Sequence, residues 1–148
     1  MRYDVIDAVL SADASRVNDV VKRANVMMEA VGGEGFKGVV EAFNRVNNLA
    51  QKAVTKEVDP SLFETDAERG LWRAYTEINA SVAGLIADGQ WTEALARMTG
   101  FKQPIDAFFD QVMVMVEDEK VKNNRLAMLA AITSLIFSFA DFSKIVFA

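Results

Sequence analysis

The chain has 148 residues, 51% of them hydrophobic, and a formal net charge of −5. It contains no cysteine and no histidine, which excludes disulfides, Cys-His or Ser-His nucleophiles and the usual zinc ligands. An acidic chain has no general attraction for DNA or RNA, so any nucleic-acid contact must come from a local group of cations. Only two prolines occur and no linker-like stretch divides the sequence, so residues 1–148 are predicted to form one domain with a sizeable core.

Two amphipathic helices are predicted at the start of the chain. The first covers Tyr3–Leu10, and its abrupt beginning favours a domain excised from a longer protein. The second runs from about Ser15 to Val31 and ends at Gly32-Gly33, since glycine suits a helix C-cap. Their inward faces are predicted to consist of Val5, Ile6, Val9 and Leu10 in the first helix, and of Val17, Val20, Val21, Ala24, Met28 and Val31 in the second.

The third predicted helix, Phe36 to about Val54, has the most unusual outer surface. Four basic residues and one acidic residue lie between Phe36 and Lys56, a local excess of positive charge in an acidic chain. Cations for phosphates beside amides for base edges are typical of an RNA-facing surface, although an ordinary solvated helix face has the same composition. The inward face is predicted to comprise Phe36, Val39, Val40, Phe43, Val46 and Ala50.

Two further helices follow a loop in which Leu62-Phe63 is a candidate anchor. Thr65 and Glu68 match a capping box, so a helix is predicted from there to about Asp88, with an apolar seam through Leu71, Tyr75 and Val82. A short helix is predicted from Gln90 to Met98. The aromatic side chains fall mostly on inward faces and favour core packing over base stacking, with Trp91 expected to be the more exposed tryptophan.

The segment Pro104–Ile132 is predicted to organise the core. Pro104 suits a first helical position, Val112–Val116 reads as buried helix or irregular core, and Glu117–Glu119 starts another helix. The chain is almost wholly apolar from Leu126 onward, so that helix must be buried on every side. Leu126–Ala140 is too short to span a bilayer and no membrane contact is expected. The fold is therefore predicted to be all-α, a compact bundle of roughly six to eight helices.

Independent catalysis is not expected of this chain. The carboxylate pairs Asp4/Asp7 and Asp106/Asp110 lie one helical turn apart, and neither comes with a desolvating pocket or a phosphate cradle. A magnesium ion on Asp106 and Asp110 remains an alternative, but nothing else in the sequence supplies ligands. No catalytic, metal-binding or cofactor-binding residue is therefore assigned.

Several blocks of sequence resemble one known family. The run Pro104–Val116 (PIDAFFDQVMVMV) followed by Asn124–Leu129 (NRLAML) is similar to the C-terminal signature of the β subunit of bacterial tetrameric glycyl-tRNA synthetase. Tyr3–Leu10, Phe43–Leu49 and Phe139–Ser143 are similar to other blocks of that family. The likeness is weakest between Val54 and Lys102.

The resemblance implies a fold, a function and a set of partners. It implies a helical anticodon-binding domain of the arginyl-tRNA synthetase type, at the C-terminus of a longer, cytoplasmic bacterial β subunit. Such a domain would position glycine tRNA, while ATP-dependent aminoacylation takes place elsewhere in an assembly of two α and two β chains. ATP and magnesium would be used by the full enzyme, with no cofactor in this domain and no binding of DNA.

The residues proposed to contact tRNA form two groups. The third helix contributes Lys37, Arg45, Asn48 and Lys52, and the start of the apolar helix contributes Lys122, Asn124 and Arg125. A structural role is an open alternative for the second group, with Arg125 paired to Asp110 or Asp118. The sequence departs from the family's usual basic residues at Asn44 and Thr133, and from its usual arginine at Lys122, which implies weaker phosphate binding.

A second function of a different class remains open. The domain could instead serve assembly, contacting the α subunit, the second β chain or the rest of its own chain without reading the anticodon. An exposed apolar patch of several hundred Å² would favour that function.

Overall fold

The computed structural model describes residues 3–12, 17–33, 35–139 and 141–145, and the side chains of these except residues 11–20 and 143. Within those ranges all regular secondary structure is helical and there is no strand, which confirms the all-α prediction. The α-helices are α1 (Tyr3–Ala12), α2 (Val17–Val31), α3 (Phe36–Ala50), α4 (Asp66–Ala87), α5 (Trp91–Thr99), α6 (Lys102–Gln111) and α7 (Glu119–Phe137). Two 3₁₀ turns, Pro60–Leu62 and Phe142–Lys144, complete the described structure.

Helix α7 is the centre of the bundle. Asp118 caps it, accepting hydrogen bonds from the backbone N–H groups of Lys120 and Val121, as a carboxylate at a helix start should. From Asn124 to Ile132 every residue of α7 is buried, and the helix packs against α3, α4 and the 3₁₀ turn at Pro60–Leu62. The predicted burial of the apolar helix is confirmed as far as Ile132 and for Leu135 and Ile136, whereas Ser134 is exposed and Thr133 and Phe137 are half-buried.

Helix α3 lies against α7 along its apolar face. Gly35 precedes α3 with a φ of 81°, a left-handed conformation that glycine adopts without steric cost. The predicted inward face is buried except for Ala50, which is half-buried. The helix ends at Ala50 instead of near Val54, because after Gln51 the backbone passes into short turns that carry Lys52 and Ala53.

Helix α4 packs on α5, α6 and α7, while α5 also packs on α2 and α6 also packs on α3. The capping box at Thr65 and Glu68 is confirmed, with each side chain accepting a backbone N–H of the other residue. Pro104 is the third residue of α6. Its missing N–H costs no hydrogen bond there, because the nitrogens of the first turn have no intrahelical partner. The prediction that it occupies the first position is wrong by two residues.

The segment between α6 and α7 is extended and irregular. Val112 and Val114 are buried, whereas Met113 is 72% and Met115 47% exposed. This alternation is what an extended backbone produces, because successive side chains point to opposite sides. The segment is thus irregular core, one of the two readings of the sequence, and only its valines belong to that core.

Other inward faces also differ from those predicted. Trp91 is 5% exposed because its ring packs edge-on against Phe139, so the expectation that it is the more exposed tryptophan is wrong. Among the described side chains of α2 the buried ones are Arg23, Ala24 and Met27, while Val21 is 52% exposed. The predicted inward residues Val17 and Val20 lie outside the described side chains. In α1 the buried face is Val5, Ala8 and Val9, and Leu10 lies outside it.

The described residues contain no helix that combines the length and the hydropathy needed to cross a bilayer.

Candidate nucleic-acid interface

The outer face of α3 carries most of the residues proposed for RNA contact. Lys37, Glu41, Arg45, Asn48 and Lys52 recur every three or four positions and are all exposed; this row is called the α3 stripe below. Within the described chain, no hydrogen bond or ion pair involves the ammonium groups of Lys37 and Lys52. The α3 stripe therefore presents cations that the fold does not neutralise.

Arg45 is the one cation of the α3 stripe that a neighbouring helix orients. Its guanidinium carbon lies 4.1 Å from the centre of the Phe109 ring on α6, within the range of a cation–π contact. Stacking on a ring uses one face of the guanidinium and leaves its N–H donors available. Arg45 remains exposed, so it can still donate to a phosphate in a fixed orientation.

The second predicted group divides into one partly accessible residue and two buried ones. The ammonium group of Lys122 lies 2.9 Å from Glu119 Oε1, one turn earlier on α7, and its side chain is 23% exposed. An ion pair at a solvated helix start is weak, because water and salt screen it. Lys122 can thus exchange its carboxylate for another anion.

Asn124 is 4% exposed, and both polar groups of its side-chain amide bond to the backbone of the fold. Its Oδ1 accepts the backbone N–H of Asp59 at 2.7 Å, and its Nδ2 donates to the Asp59 carbonyl at 3.0 Å. Both polar groups of one peptide residue in the α3–α4 loop are therefore held by α7. This arrangement gives Asn124 a structural role, with no side-chain surface on which RNA could be contacted.

Arg125 is also 4% exposed and joins three segments of the chain. Its Nη1 donates to the Met113 carbonyl at 2.6 Å, and its Nη2 donates to Oε1 of both Glu64 (3.2 Å) and Glu68 (3.1 Å). The structural alternative is therefore correct in kind but wrong in partner, since the carboxylates come from α4 and its cap and not from Asp110 or Asp118. A guanidinium that is buried and paired in this way is not accessible to a ligand.

The contacts of Glu68 with Arg125, Glu64 and Thr65 favour the ionised form of its carboxylate. Burial alone would raise the pKa of Glu68, but the hydrogen bond from Arg125, the backbone N–H of Glu64, the positive charge of Arg125 and the Thr65 hydroxyl together hold that pKa below its usual value. The carboxylate has no exposed surface. A buried ion pair of this kind holds chain segments in position, and either charge would be strongly destabilising without its partner.

A groove lies beside the α3 stripe, between the end of α3 and the second half of α7. It has a volume of about 390 Å³. Its lining consists of Asn47, Ala50, Gln51, Lys56, Ala130, Thr133, Ser134 and Phe137, and this set is called the α3–α7 groove. Asn47 and Gln51 flank the cations of α3 in the sequence. Thr133, Ser134 and Phe137 lie within an apolar run, and only Thr133 stands out there, as a departure from the family's usual basic residue.

Metal binding finds no support in the described part of the chain, where no group of three or more acidic side chains converges. Asp106, a candidate for magnesium, instead receives a 2.6 Å hydrogen bond from the Lys102 ammonium group on the same helix.

Comparison with known proteins agrees with this helical architecture. Residues 39–140 match the family described as DALR anticodon binding domain. The match covers more than half of the chain and takes in α3 from Val39 onward and all of α4 through α7, including both sides of the α3–α7 groove. The chain belongs to the DALR anticodon-binding domain family.

The chain is also similar in sequence to glycine–tRNA ligase β subunits. The chain is 40% identical over 148 residues to the "Glycine--tRNA ligase beta subunit" of Halalkalibacterium halodurans and 40% identical over 146 residues to that of Desulforamulus reducens. The protein of the same name from Bacillus subtilis is 34% identical over 146 residues. Each alignment covers 99% of this chain but only 21% or 22% of the relative, so the chain spans about a fifth of the length of these proteins.

Proposed function

We propose that this chain binds the anticodon arm of glycine tRNA as a domain of a glycine–tRNA ligase β subunit. The observation that carries the proposal is the α3 stripe, which, apart from Lys37, lies inside the part of the chain that matches an anticodon-binding family. Three of its residues, Lys37, Arg45 and Lys52, are exposed cations in a protein of net charge −5. Such a local excess attracts a phosphate backbone although the whole molecule repels it.

The contact set proposed from the structure is narrower than the one proposed from the sequence. Lys37, Arg45, Asn48 and Lys52 remain the primary contacts, with Lys122 as a further cation. Asn124 and Arg125 are left out because their polar groups serve the core. A lysine that sequence reasoning counted but did not select, Lys56, joins them because it is exposed at the rim of the α3–α7 groove.

The wider setting of the domain is part of the same proposal. We infer that residues 1–148 form one non-catalytic helical domain without a cofactor of its own. Glycine, ATP and magnesium would be handled elsewhere in a cytoplasmic complex of two α and two β chains. The names of the relatives support a partnership with tRNA and other synthetase subunits, whereas a role in assembly alone would leave the exposed cations of α3 without a purpose.

The test is binding of the 148-residue chain to two RNAs at low salt, measured by gel shift and by fluorescence anisotropy. Glycine tRNA is compared with the same tRNA bearing a swapped anticodon. The proposal expects the native tRNA to bind more tightly, and expects Arg45→Ala with Lys52→Ala to weaken binding to both RNAs. Arg97→Ala removes an exposed cation from α5 and serves as the matched control. A chain that binds neither RNA at low salt would contradict the proposal.

A further inference from the structure

We propose that the α3–α7 groove holds one unstacked nucleobase of the bound RNA. This inference rests on the proposed function and adds to it a defined subsite with its own chemistry.

The position of the groove on α7 is the first argument. From Asn124 to Ile136, the residues of α7 are buried except at Thr133 and Ser134. A helix enclosed by neighbours on all other sides therefore reaches solvent at one place, with Phe137 half-buried one turn further on. The opening is created by packing, because α3 ends at Ala50 and the chain turns away there.

The lining of the groove is the second argument. Its base is formed by small side chains, Ala50 and Ala130, and Phe137 supplies an aromatic ring. Asn47 and Gln51 bring two amides, each with donors and an acceptor. Specific recognition of RNA uses this combination, in which an unstacked base lies against a ring and its edge is met by hydrogen-bonding side chains. A volume of about 390 Å³ is in the range of pockets that enclose small molecules.

The hydroxyl of Thr133 is the third argument. Its oxygen is buried and has no hydrogen-bond partner within the described residues, although a threonine within a helix can usually bond to a carbonyl one turn back. Buried polar atoms are nearly always paired in folded proteins. Three other buried side-chain atoms of the described residues also lack a partner, Glu68 Oε2, Trp91 Nε1 and Arg125 Nε, but none of their residues lines the groove. The Thr133 hydroxyl is the one of the four at which a ligand in the groove can complete the bond.

The charges around the groove favour RNA over a peptide as the occupant. Gln51 and Lys52 are consecutive, so the groove and the α3 stripe share an edge along α3. Lys56 stands at the groove rim, and no acidic side chain lines the groove itself. A nucleotide can therefore place its phosphate on the lysines and turn its base inward toward Asn47, Gln51 and Thr133.

The experiment is an abasic scan of the anticodon loop against the wild-type chain and four variants. Glycine tRNA is prepared with one loop base removed at a time, and its affinity is measured by fluorescence anisotropy. For the wild type, we expect one abasic position to lower affinity by about tenfold, a typical effect for a stacked base. Gln51→Ala and Thr133→Val should weaken binding of the intact tRNA several-fold and cause no further loss with that abasic tRNA, because both changes remove the same interaction.

Three of the variants also separate an effect on the groove from an effect on folding. Thr133→Val preserves shape while removing the unpartnered hydroxyl, so it should unfold at an unchanged or higher temperature. Ala50→Leu fills the groove without changing charge and should abolish sensitivity to the same abasic position. Gln103→Ala removes an exposed amide from α6 and should leave the scan unchanged.

The outcomes separate this inference from the proposed function. If the groove variants and the abasic tRNA lower affinity additively, or if no loop position matters, the groove does not hold a base. In that case the proposed function still stands, provided that Arg45→Ala with Lys52→Ala weakens binding. If the wild type does not bind tRNA at all, both proposals fail.

Discussion

Arg125 is the residue at which the greatest number of separate segments meet. Its guanidinium donates hydrogen bonds to the carbonyl of Met113, to the carboxylate of Glu64 just before the N-cap of α4, and to the buried carboxylate of Glu68. Glu68 in turn accepts the backbone N–H groups of Glu64 and Thr65. The start of α4, the α6–α7 connection and the core of α7 are thus joined by one charged cluster.

Removing the guanidinium should destabilise the fold strongly. Arg125→Ala leaves the Glu68 carboxylate buried without its cation, a change that costs about 3–5 kcal/mol in comparable buried pairs. Chemical denaturation should therefore show a large fall in the free energy of unfolding. In contrast, Arg69→Ala at the exposed pair with Asp66 should change it by less than about 1 kcal/mol. Equal effects of the two substitutions would contradict the structural role of Arg125.

The lowered pKa of Glu68 predicts a dependence of stability on pH. A carboxyl whose pKa is lower in the folded state than in the unfolded state stabilises the fold above the unfolded-state pKa, near 4.5 for glutamate. That stabilisation is lost as the pH falls through the lower, folded-state pKa. The free energy of unfolding of the wild type should therefore decrease between neutral pH and acid, as followed by urea denaturation at several pH values.

Glu68→Gln isolates this contribution. The variant cannot lose a charge at that position, so its stability should be lower at neutral pH and should fall less steeply toward acid than that of the wild type. Parallel curves for the two proteins would mean that other carboxylates are responsible for the acid sensitivity.

At the scale of elements, the contact between α7 and the α3–α4 loop explains how a flexible connection keeps its place. Asn124 binds both backbone groups of Asp59, and Asp59 itself caps the 3₁₀ turn by accepting the N–H and hydroxyl of Ser61. The loop that carries Lys56 is therefore attached to α7 through the backbone of Asp59, in addition to the packing of Val58 and Phe63 on the core.

Asn124→Ala should release that attachment. We expect faster amide hydrogen exchange at Asp59 and Leu62, lower thermal stability, and a modest loss of RNA affinity through misplacement of Lys56. Hydrogen exchange measured by NMR checks the first effect directly. If Asn124→Ala weakened RNA binding while exchange at Asp59 stayed slow, a direct contact of Asn124 with RNA, as inferred from the sequence, would be the better explanation.

The elements that the sequence predicted well are those decided by neighbouring residues. The capping box at Thr65 and Glu68, the cap at Asp118 and the buried face of α3 each depend on spacings of three or four positions. The failures came from long-range packing. Nothing near Arg125 in sequence points to Glu68, 57 positions away, and nothing near Trp91 reveals that Phe139 covers it. The α3–α7 groove is hidden for the same reason, since Asn47 and Thr133 are brought together only by folding.

For the whole molecule, the contrast between a net charge of −5 and a positive outer face on α3 determines how binding should respond to salt. Few phosphates can be neutralised by so small a group, about three to five, and each adds about −0.9 or less to the slope of log affinity against log salt. Binding should therefore be weak and should decline by tens-fold to hundreds-fold between low and physiological salt.

The salt titration also separates the two kinds of contact. Arg45→Ala with Lys52→Ala should make the slope shallower by about two, whereas Thr133→Val should lower affinity at every salt concentration with the slope unchanged. Anisotropy titrations at four or five salt concentrations measure both quantities. An unchanged slope in the double variant would place the phosphate contacts elsewhere.

The alternation of Val112–Val116 has a chemical consequence. Met113 and Met115 expose their thioethers, whereas Met27, Met98 and Met128 are fully enclosed. Dilute peroxide should therefore convert the first two to sulfoxides long before the others, without entering the core. The extent of oxidation of Met113 and Met115 can be measured by mass spectrometry with and without a larger assembly around the chain. Protection of these two residues would show that this side of the bundle becomes covered.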